Sequence, residues 1–253
     1  MRTIATARMS GAGGKAIVFV HGVGSTAAIW DYQLAAFAGD YRCFAVELRG
    51  NGVPKPEPDP GEITREGYVA DVLAVADAAG VQQFHFVGCS LGGVVGFELW
   101  KHAPQRLRSL TFVGSFAWYP DAAQYVQSVI ASVENAGTME RFAFERAQRL
   151  SLPAGTRTAE TIAQMACKTV PSYVAATHAT WTGEYRELLP KITVPSLVIC
   201  GGRDAVAPPS FSQEIAGGIP GARLEVIEEA GHVANADAPD RFNDLLGAFL
   251  KSL

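Results

Sequence analysis

The chain has 253 residues, 48% of them hydrophobic, with 21 basic against 25 acidic side chains and a formal net charge of −4. That length suits one α/β domain with an inserted subdomain rather than two independent domains, and the absence of any Lys/Arg-rich stripe argues against a nucleic-acid partner. No segment has the apolar length of a membrane span and residues 1–8 lack a signal-peptide core, so a cytoplasmic location with no membrane partner is the default expectation.

Six apolar runs follow one another along the chain, at 16–20, 43–46, 84–87, 110–113, 196–200 and 223–227. Continuous apolar runs of this length suit strands buried on both faces of a parallel sheet. Helical patterns lie between them. Over 68–77, for example, Val69, Val72, Leu73 and Ala76 fall on one face. Alternation of this kind predicts a mostly parallel α/β sheet with helices on both sides. The Gly- and Pro-rich segment 49–61 reads as a surface loop beside the pocket.

The alternation fails between 119 and 185, where Tyr125, Val126, Val129, Ile130 and Val133 keep a helical apolar spacing, as do Ile162, Met165 and Ala166. This predicts a helical insertion, a cap over the carboxyl ends of the strands, dividing the chain into a core of 1–118 and 186–253 and a cap of 119–185. Trp118, Tyr119, Tyr125, Phe142, Phe144, Tyr173 and Trp181 are the aromatic side chains available to a pocket there, although at helical spacing most belong to the core. Val174, Thr177, His178 and Trp181 share one helical face. Trp118, Tyr125, His178 and Trp181 are the candidate substrate contacts.

The run 84–87 breaks at Gly88-Cys89-Ser90-Leu91-Gly92-Gly93 and then turns helical. A serine hydroxyl is a poor nucleophile at neutral pH, so a chain that uses one exposes it and holds a base against it. A strand that becomes a helix within a few residues brings two backbones together at the serine. Gly88 and Gly92 make room for that approach, and Ser90 is expected in strained φ/ψ. Strand, Gly-x-Ser-x-Gly and helix together form the arrangement called a nucleophile elbow, in which the residue after the serine, Leu91, donates a backbone N–H to an oxyanion.

A nucleophilic serine also needs a histidine base and a carboxylate that orients it. Run 196–200 exits into Gly201-Gly202-Arg203-Asp204, and run 223–227 exits into Glu228-Glu229-Ala230-Gly231-His232. Of the remaining histidines, His21 follows a strand and organises its loop, His85 lies within a strand and His102 ends a helix. His232 therefore takes the role of base. Asp204 is the orienting acid in this reading; its alternative is capping of the following segment, while Asp240 reads as a helix N-terminal charge and Glu228 and Glu229 as solvated. Cys43, Cys89, Cys167 and Cys200 show no Cys-x-x-Cys spacing and read as reduced packing residues, Cys89 filling the elbow.

The order Ser90, Asp204, His232 is that of the α/β-hydrolases, and the chain resembles that superfamily over nearly its whole length. Through His21-Gly22, Trp30, the elbow, Gly202-Arg203-Asp204 with Pro208-Pro209, and Ala230-Gly231-His232 it looks most like 3-oxoadipate enol-lactonases and their esterase and perhydrolase relatives. The resemblance implies Val23 as the second oxyanion donor. It also implies a cofactor-free, metal-free hydrolase that opens a carboxylic ester or lactone of a small, partly apolar substrate. One departure stands at Asn51 and Pro54, where these relatives usually carry His and Ser, and it is expected to alter the wall beside the nucleophile. Carbon–carbon cleavage or lyase chemistry on a dicarbonyl compound, and a receptor that binds without turnover, are alternatives that the sequence leaves open, as it does homo-oligomerisation.

Overall fold

A computed structural model describes residues 6–51, 58–150 and 157–253. Seven strands form one sheet: β1 (Thr6–Ser10), β2 (Lys15–Val20), β3 (Tyr41–Glu47), β4 (Phe84–Cys89), β5 (Leu107–Val113), β6 (Ser196–Gly201) and β7 (Arg223–Ile227). Their order is β1-β3-β2-β4-β5-β6-β7, and only the β1–β3 pair is antiparallel. All six expected strands are present. The seventh, β1, was not expected, because its Thr-Ala-Arg-Met-Ser sequence has no apolar run and it lies on the sheet edge with most of its length exposed.

The helices described are α1 (Asp31–Phe37), α2 (Arg65–Ala78), α3 (Leu91–His102), α4 (Ala122–Ala136), α5 (Met139–Leu150), α6 (Arg157–Ala166), α7 (Val170–Trp181), α8 (Pro209–Gly218), α9 (Ala234–Asp237) and α10 (Pro239–Lys251). Because side chains alternate across a strand, the central strands feed two separate cores. Ile17 and Phe19 face one with Trp30, Phe242, Leu246 and Phe249. Val18 and Val20 face the other with Tyr68, Val72, Val94, Phe97 and Ile215. Among the described residues no helix is long and apolar enough to cross a membrane.

Helices α4 to α7 leave the sheet after β5 and return before β6. The two ends of this excursion meet where the Tyr185 N–H donates to the Ala117 carbonyl at 2.8 Å, and the Tyr185 hydroxyl anchors on Glu98 Oε1 of α3 at 2.6 Å. The excursion has its own small core of Val129, Val133, Phe142, Met165 and Tyr173. It is pinned to the loop after β2 at two points: Thr26 N–H donates to Gln164 Oε1, and Lys168 Nζ donates to the Ser25 carbonyl.

His85 is buried in β4, its ring paired with Ser109 Oγ at 2.8 Å. Desolvation, reinforced by Lys15 and Arg108, lowers its pKa to about 4. Unfolded histidine titrates near 6.5, so between those values the unfolded chain binds the extra proton and stability falls as pH drops. His85→Gln is expected to flatten the loss of folding free energy between about pH 6.5 and 4, as measured by urea titrations across that range; an unchanged slope would show that other groups carry it.

Candidate active site

Because strands β2 to β7 run parallel, their carboxyl ends lie on one edge, where open α/β sheets form ligand crevices. Four of the connecting loops meet there. The loop after β2 brings Gly22 and Val23, the turn after β4 brings Ser90, and the loops after β6 and β7 bring Asp204 and His232. Ser90, His232, Gly22, Val23, Trp181 and Arg146 line one narrow cavity.

The turn at Ser90 is as tight as its sequence predicts. Ser90 has φ +54° and ψ −111°, and it is one of two non-glycine residues with positive φ among those described. A Cβ on Gly88 would stand 2.2 Å from the Gly92 carbonyl oxygen, and one on Gly92 would stand 2.2 Å from that of Val20. Both contacts are with backbone, which has no rotamer to give. Ser115 Oγ donates to the Ser90 carbonyl at 3.0 Å, and α3 begins at Leu91. The first N–H groups of a helix have no intrahelical acceptor and face positive-dipole territory, which favours an anion there.

His232 Nδ1 donates to Asp204 Oδ2 at 2.8 Å, with both residues buried. The other carboxylate oxygen, Oδ1, accepts from the Val206 and Ala207 N–H groups at 2.8 and 2.9 Å. One carboxylate oxygen of Asp204 thus meets the imidazole while the other caps the following segment. The bond to Nδ1 leaves Nε2 as the nitrogen available for proton transfer. No hydrogen bond joins Ser90 to His232 among the described residues; such contacts commonly close only when substrate is bound.

His21 is buried, with Nδ1 donating to the Gly22 carbonyl at 2.8 Å and Nε2 accepting from the Leu48 N–H at 3.2 Å. It therefore fixes the loop that carries Val23. Asn51, also buried, accepts the Gly24 N–H on Oδ1 at 3.2 Å and donates from Nδ2 toward the Arg49 carbonyl and the Tyr68 hydroxyl. Asn51 ties two loops together and does not line the Ser90 cavity, so the expected change of wall is instead a change in what holds Gly24. Pro54 and the rest of 52–57 lie outside the described residues.

Two candidate substrate contacts are corrected. His178 is exposed and faces an outer groove with Arg65, Lys101 and Thr182, because one residue beyond the buried Thr177 is a 100° turn of the helix. Trp118 is not among the residues that line the cavity, and its Nε1 donates to Glu214 Oε1 at 3.1 Å under the Arg186 guanidinium. Trp181 lines the Ser90 cavity, whereas Tyr125 lines an adjacent recess and packs on Tyr119 and Trp181. Phe142 lines that same recess and packs edge-on against Tyr173, and Phe144 is exposed.

Sequence reasoning missed Arg146 and Gly114. Arg146 sits in α5 among Arg and Glu residues that resemble a solvated face. Gly114 directly follows β5 at φ +50°, and a Cβ there would meet the His232 carbonyl at 2.7 Å and Asp204 Oδ2 at 3.2 Å. A glycine at the end of a central strand was the available signal. Elsewhere, Glu66, Glu98 and His102 offer ligand atoms close to one another, but Glu98 is already engaged by Tyr185 and Lys101.

A mostly parallel sheet whose carboxyl edge gathers a serine, a histidine and an aspartate is the architecture of a class of hydrolytic enzymes. The chain belongs to the alpha/beta hydrolase family, whose model matches residues 17–245. It is 32% identical to a RutD carbamate hydrolase candidate of Azorhizobium caulinodans, over 93% of this chain and 91% of that protein. It is 27% identical to 3-oxoadipate enol-lactonase 1 of Acinetobacter baylyi, over 94% and 89% respectively. Among solved structures, a hydrolase from Pseudomonas aeruginosa PA01 superimposes with a TM-score of 0.88 at 32% identity, covering 97% of this chain and 94% of that one.

Gly114→Ala is expected to push the Asp204–His232 pair apart and to destabilise the fold by roughly the 1–3 kcal/mol typical of overpacking. Thermal melting reads the second effect. For the first, the downfield imidazole Nδ1 proton in NMR spectra should shift or vanish, and an unaltered resonance would contradict this placement of Gly114.

Proposed function

We propose that the protein is a serine hydrolase that opens a carboxylic ester or lactone of a small, partly apolar substrate through an acyl-enzyme on Ser90. The observation that carries this reading is the 2.8 Å bond from His232 Nδ1 to Asp204 Oδ2 in a cavity shared with a serine at φ +54°. In the first step Ser90 Oγ attacks the substrate carbonyl carbon while His232 Nε2 takes the hydroxyl proton. Asp204 holds the ring and stabilises the imidazolium that results. The carbonyl oxygen becomes an oxyanion, received by the backbone N–H groups of Leu91 and Val23, each contributing on the order of 10²–10³ in rate.

Collapse of the tetrahedral adduct expels the alcohol, or the tethered alkoxide of a lactone, which takes its proton from His232. Water then attacks the acyl carbonyl with His232 again as base, and collapse of that adduct breaks the bond to Ser90 Oγ, releasing the acid as Oγ recovers the proton from His232. Helices α4 to α7 act as a cap: they cover the cavity with Trp181 and Arg146 and grip the Val23 loop through Gln164 and Lys168. A carbamate is a second class of acyl substrate to test, since the 32% identical relative carries that name. The same attack on its carbonyl applies.

Ser90→Ala should lower turnover of aryl esters, lactones or carbamates by on the order of 10⁴-fold or more, measured in parallel with wild type on one substrate panel. Turnover that survives the substitution would remove Ser90 from the nucleophile's role. Asp204→Asn should also cost on the order of 10⁴ in kcat by leaving the imidazole in the wrong tautomer. Mass spectrometry of a fluorophosphonate adduct on Ser90 should then show labelling slowed to match.

A further inference from the structure

From the burial of one cation we infer that the substrate carries a carboxylate of its own, held by Arg146 in the cavity that also holds Ser90. The inference rests on the serine-hydrolase reading and adds the charge class of its substrate.

Arg146 is 8% exposed and lines the cavity that holds Ser90 and His232. A guanidinium stays charged at any relevant pH and carries five N–H donors in a planar fork. Burying such a group without an opposite charge is unfavourable, so buried arginines are ordinarily paired. Among the described residues no carboxylate pairs with Arg146. Among the described residues its hydrogen bond of ordinary geometry is a long contact, 3.4 Å, from Nη2 to the Tyr125 hydroxyl. Its surroundings are the phenols of Tyr119, Tyr125 and Tyr173, and Tyr173 Oη, itself buried, makes no hydrogen bond of ordinary geometry. The nearest acid in sequence, Glu145, is committed to Arg141 at 3.1 Å.

The fork is therefore met by phenols and by no carboxylate among the described residues, yet it borders the space a substrate enters. Planar bidentate donors match a carboxylate. A phosphate, with about two charges and three acceptor oxygens, would call for further cations, and the other buried lysine or arginine among the described residues, Lys168, is engaged by the Ser25 carbonyl at 3.0 Å. Arg146 also forms the wall between the Ser90 cavity and the recess lined by Tyr125, Ser128 and Phe142. A substrate reaching the guanidinium from the serine side thus has its carboxylate at one end and its scissile carbonyl at the other.

The test compares monoethyl esters of succinate, glutarate and adipate with their uncharged ω-amides, on wild type, Arg146→Met and Arg146→Lys. Charge-assisted hydrogen bonds of this kind correspond to roughly 10- to 100-fold in binding. The wild type is expected to favour the anionic ester at the fitting chain length in kcat/KM by at least about 10-fold, with Arg146→Met abolishing that preference mainly through KM and Arg146→Lys restoring part of it. Because a methionine removes an unpaired buried charge, Tm of Arg146→Met should hold or rise; a purely structural arginine would lower Tm and depress both substrates alike. On a Ser90→Ala background, binding of the same esters is followed by intrinsic fluorescence without turnover. Equal affinity of anionic ester and ω-amide there would overturn the role of Arg146, as would a preference that survives Arg146→Met. Turnover that survives Ser90→Ala would instead overturn the serine reading while leaving the binding measurement interpretable.

Discussion

The arrangement of this molecule depends on how closely two backbones approach at the end of β4. Ser90 adopts φ +54° only because Gly88, Gly92 and Gly93 let the first turn of α3 lie directly on the strand and on the carbonyl of Val20. A non-glycine residue in such a conformation stores about 1–3 kcal/mol. That strain is offset by the sheet on either side: β4 is paired on one edge with β2 and on the other with β5, and all of its side chains are buried. The conformation lifts Ser90 out of the sheet and aligns the start of α3 beneath it. Ser90 is itself only 3% exposed, so the turn presents it to the cavity and not to open solvent.

The other groups depend on the same frame through fixed contacts. Gly114, at the end of β5, leaves room for the His232 carbonyl and Asp204 Oδ2, while the two N–H groups of Val206 and Ala207 prevent Asp204 from rotating away from the imidazole. On the opposite side, His21 and Asn51 fasten the loop that carries Val23, and Gly24, at φ +77°, lets Met165 and Tyr173 press against that loop. The helices beyond the sheet are therefore coupled to the candidate oxyanion donor by packing and by two hydrogen bonds.

Most of this frame was legible in the sequence, because buried parallel strands and a glycine-framed serine are local signals. The long apolar runs marked β2 to β7, and the loop positions of Asp204 and His232 followed from them. Edge strand β1 carried no such signal, since a strand solvated over most of its length needs no apolar run. Side-chain direction within the helical excursion was legible only in part. Trp181 and His178 share a helical face to within one turn, yet one is buried against the cavity and the other lies in an outer groove. Periodicity gives a stripe about 100° wide or more, and that is too coarse to separate them.

Arg146 was hidden by the opposite effect. In Met-Glu-Arg-Phe-Ala-Phe-Glu-Arg-Ala-Gln-Arg-Leu the arginines alternate with acids and look like one solvated face. Met139, Phe142, Ala143, Arg146 and Ala147 are nevertheless the buried positions among the described side chains of α5, recurring at helical spacing, so the apolar stripe contains a cation. Substituting a hydrophobic residue of similar volume for such a charge is often neutral or stabilising by about 1–4 kcal/mol. A fold that retains it without a carboxylate partner gives up stability at a site whose other lining is largely uncharged. On the inference drawn above, an anion entering from outside would offset that desolvation, a selectivity for charge that Trp181, Val206 and Val233 could not supply.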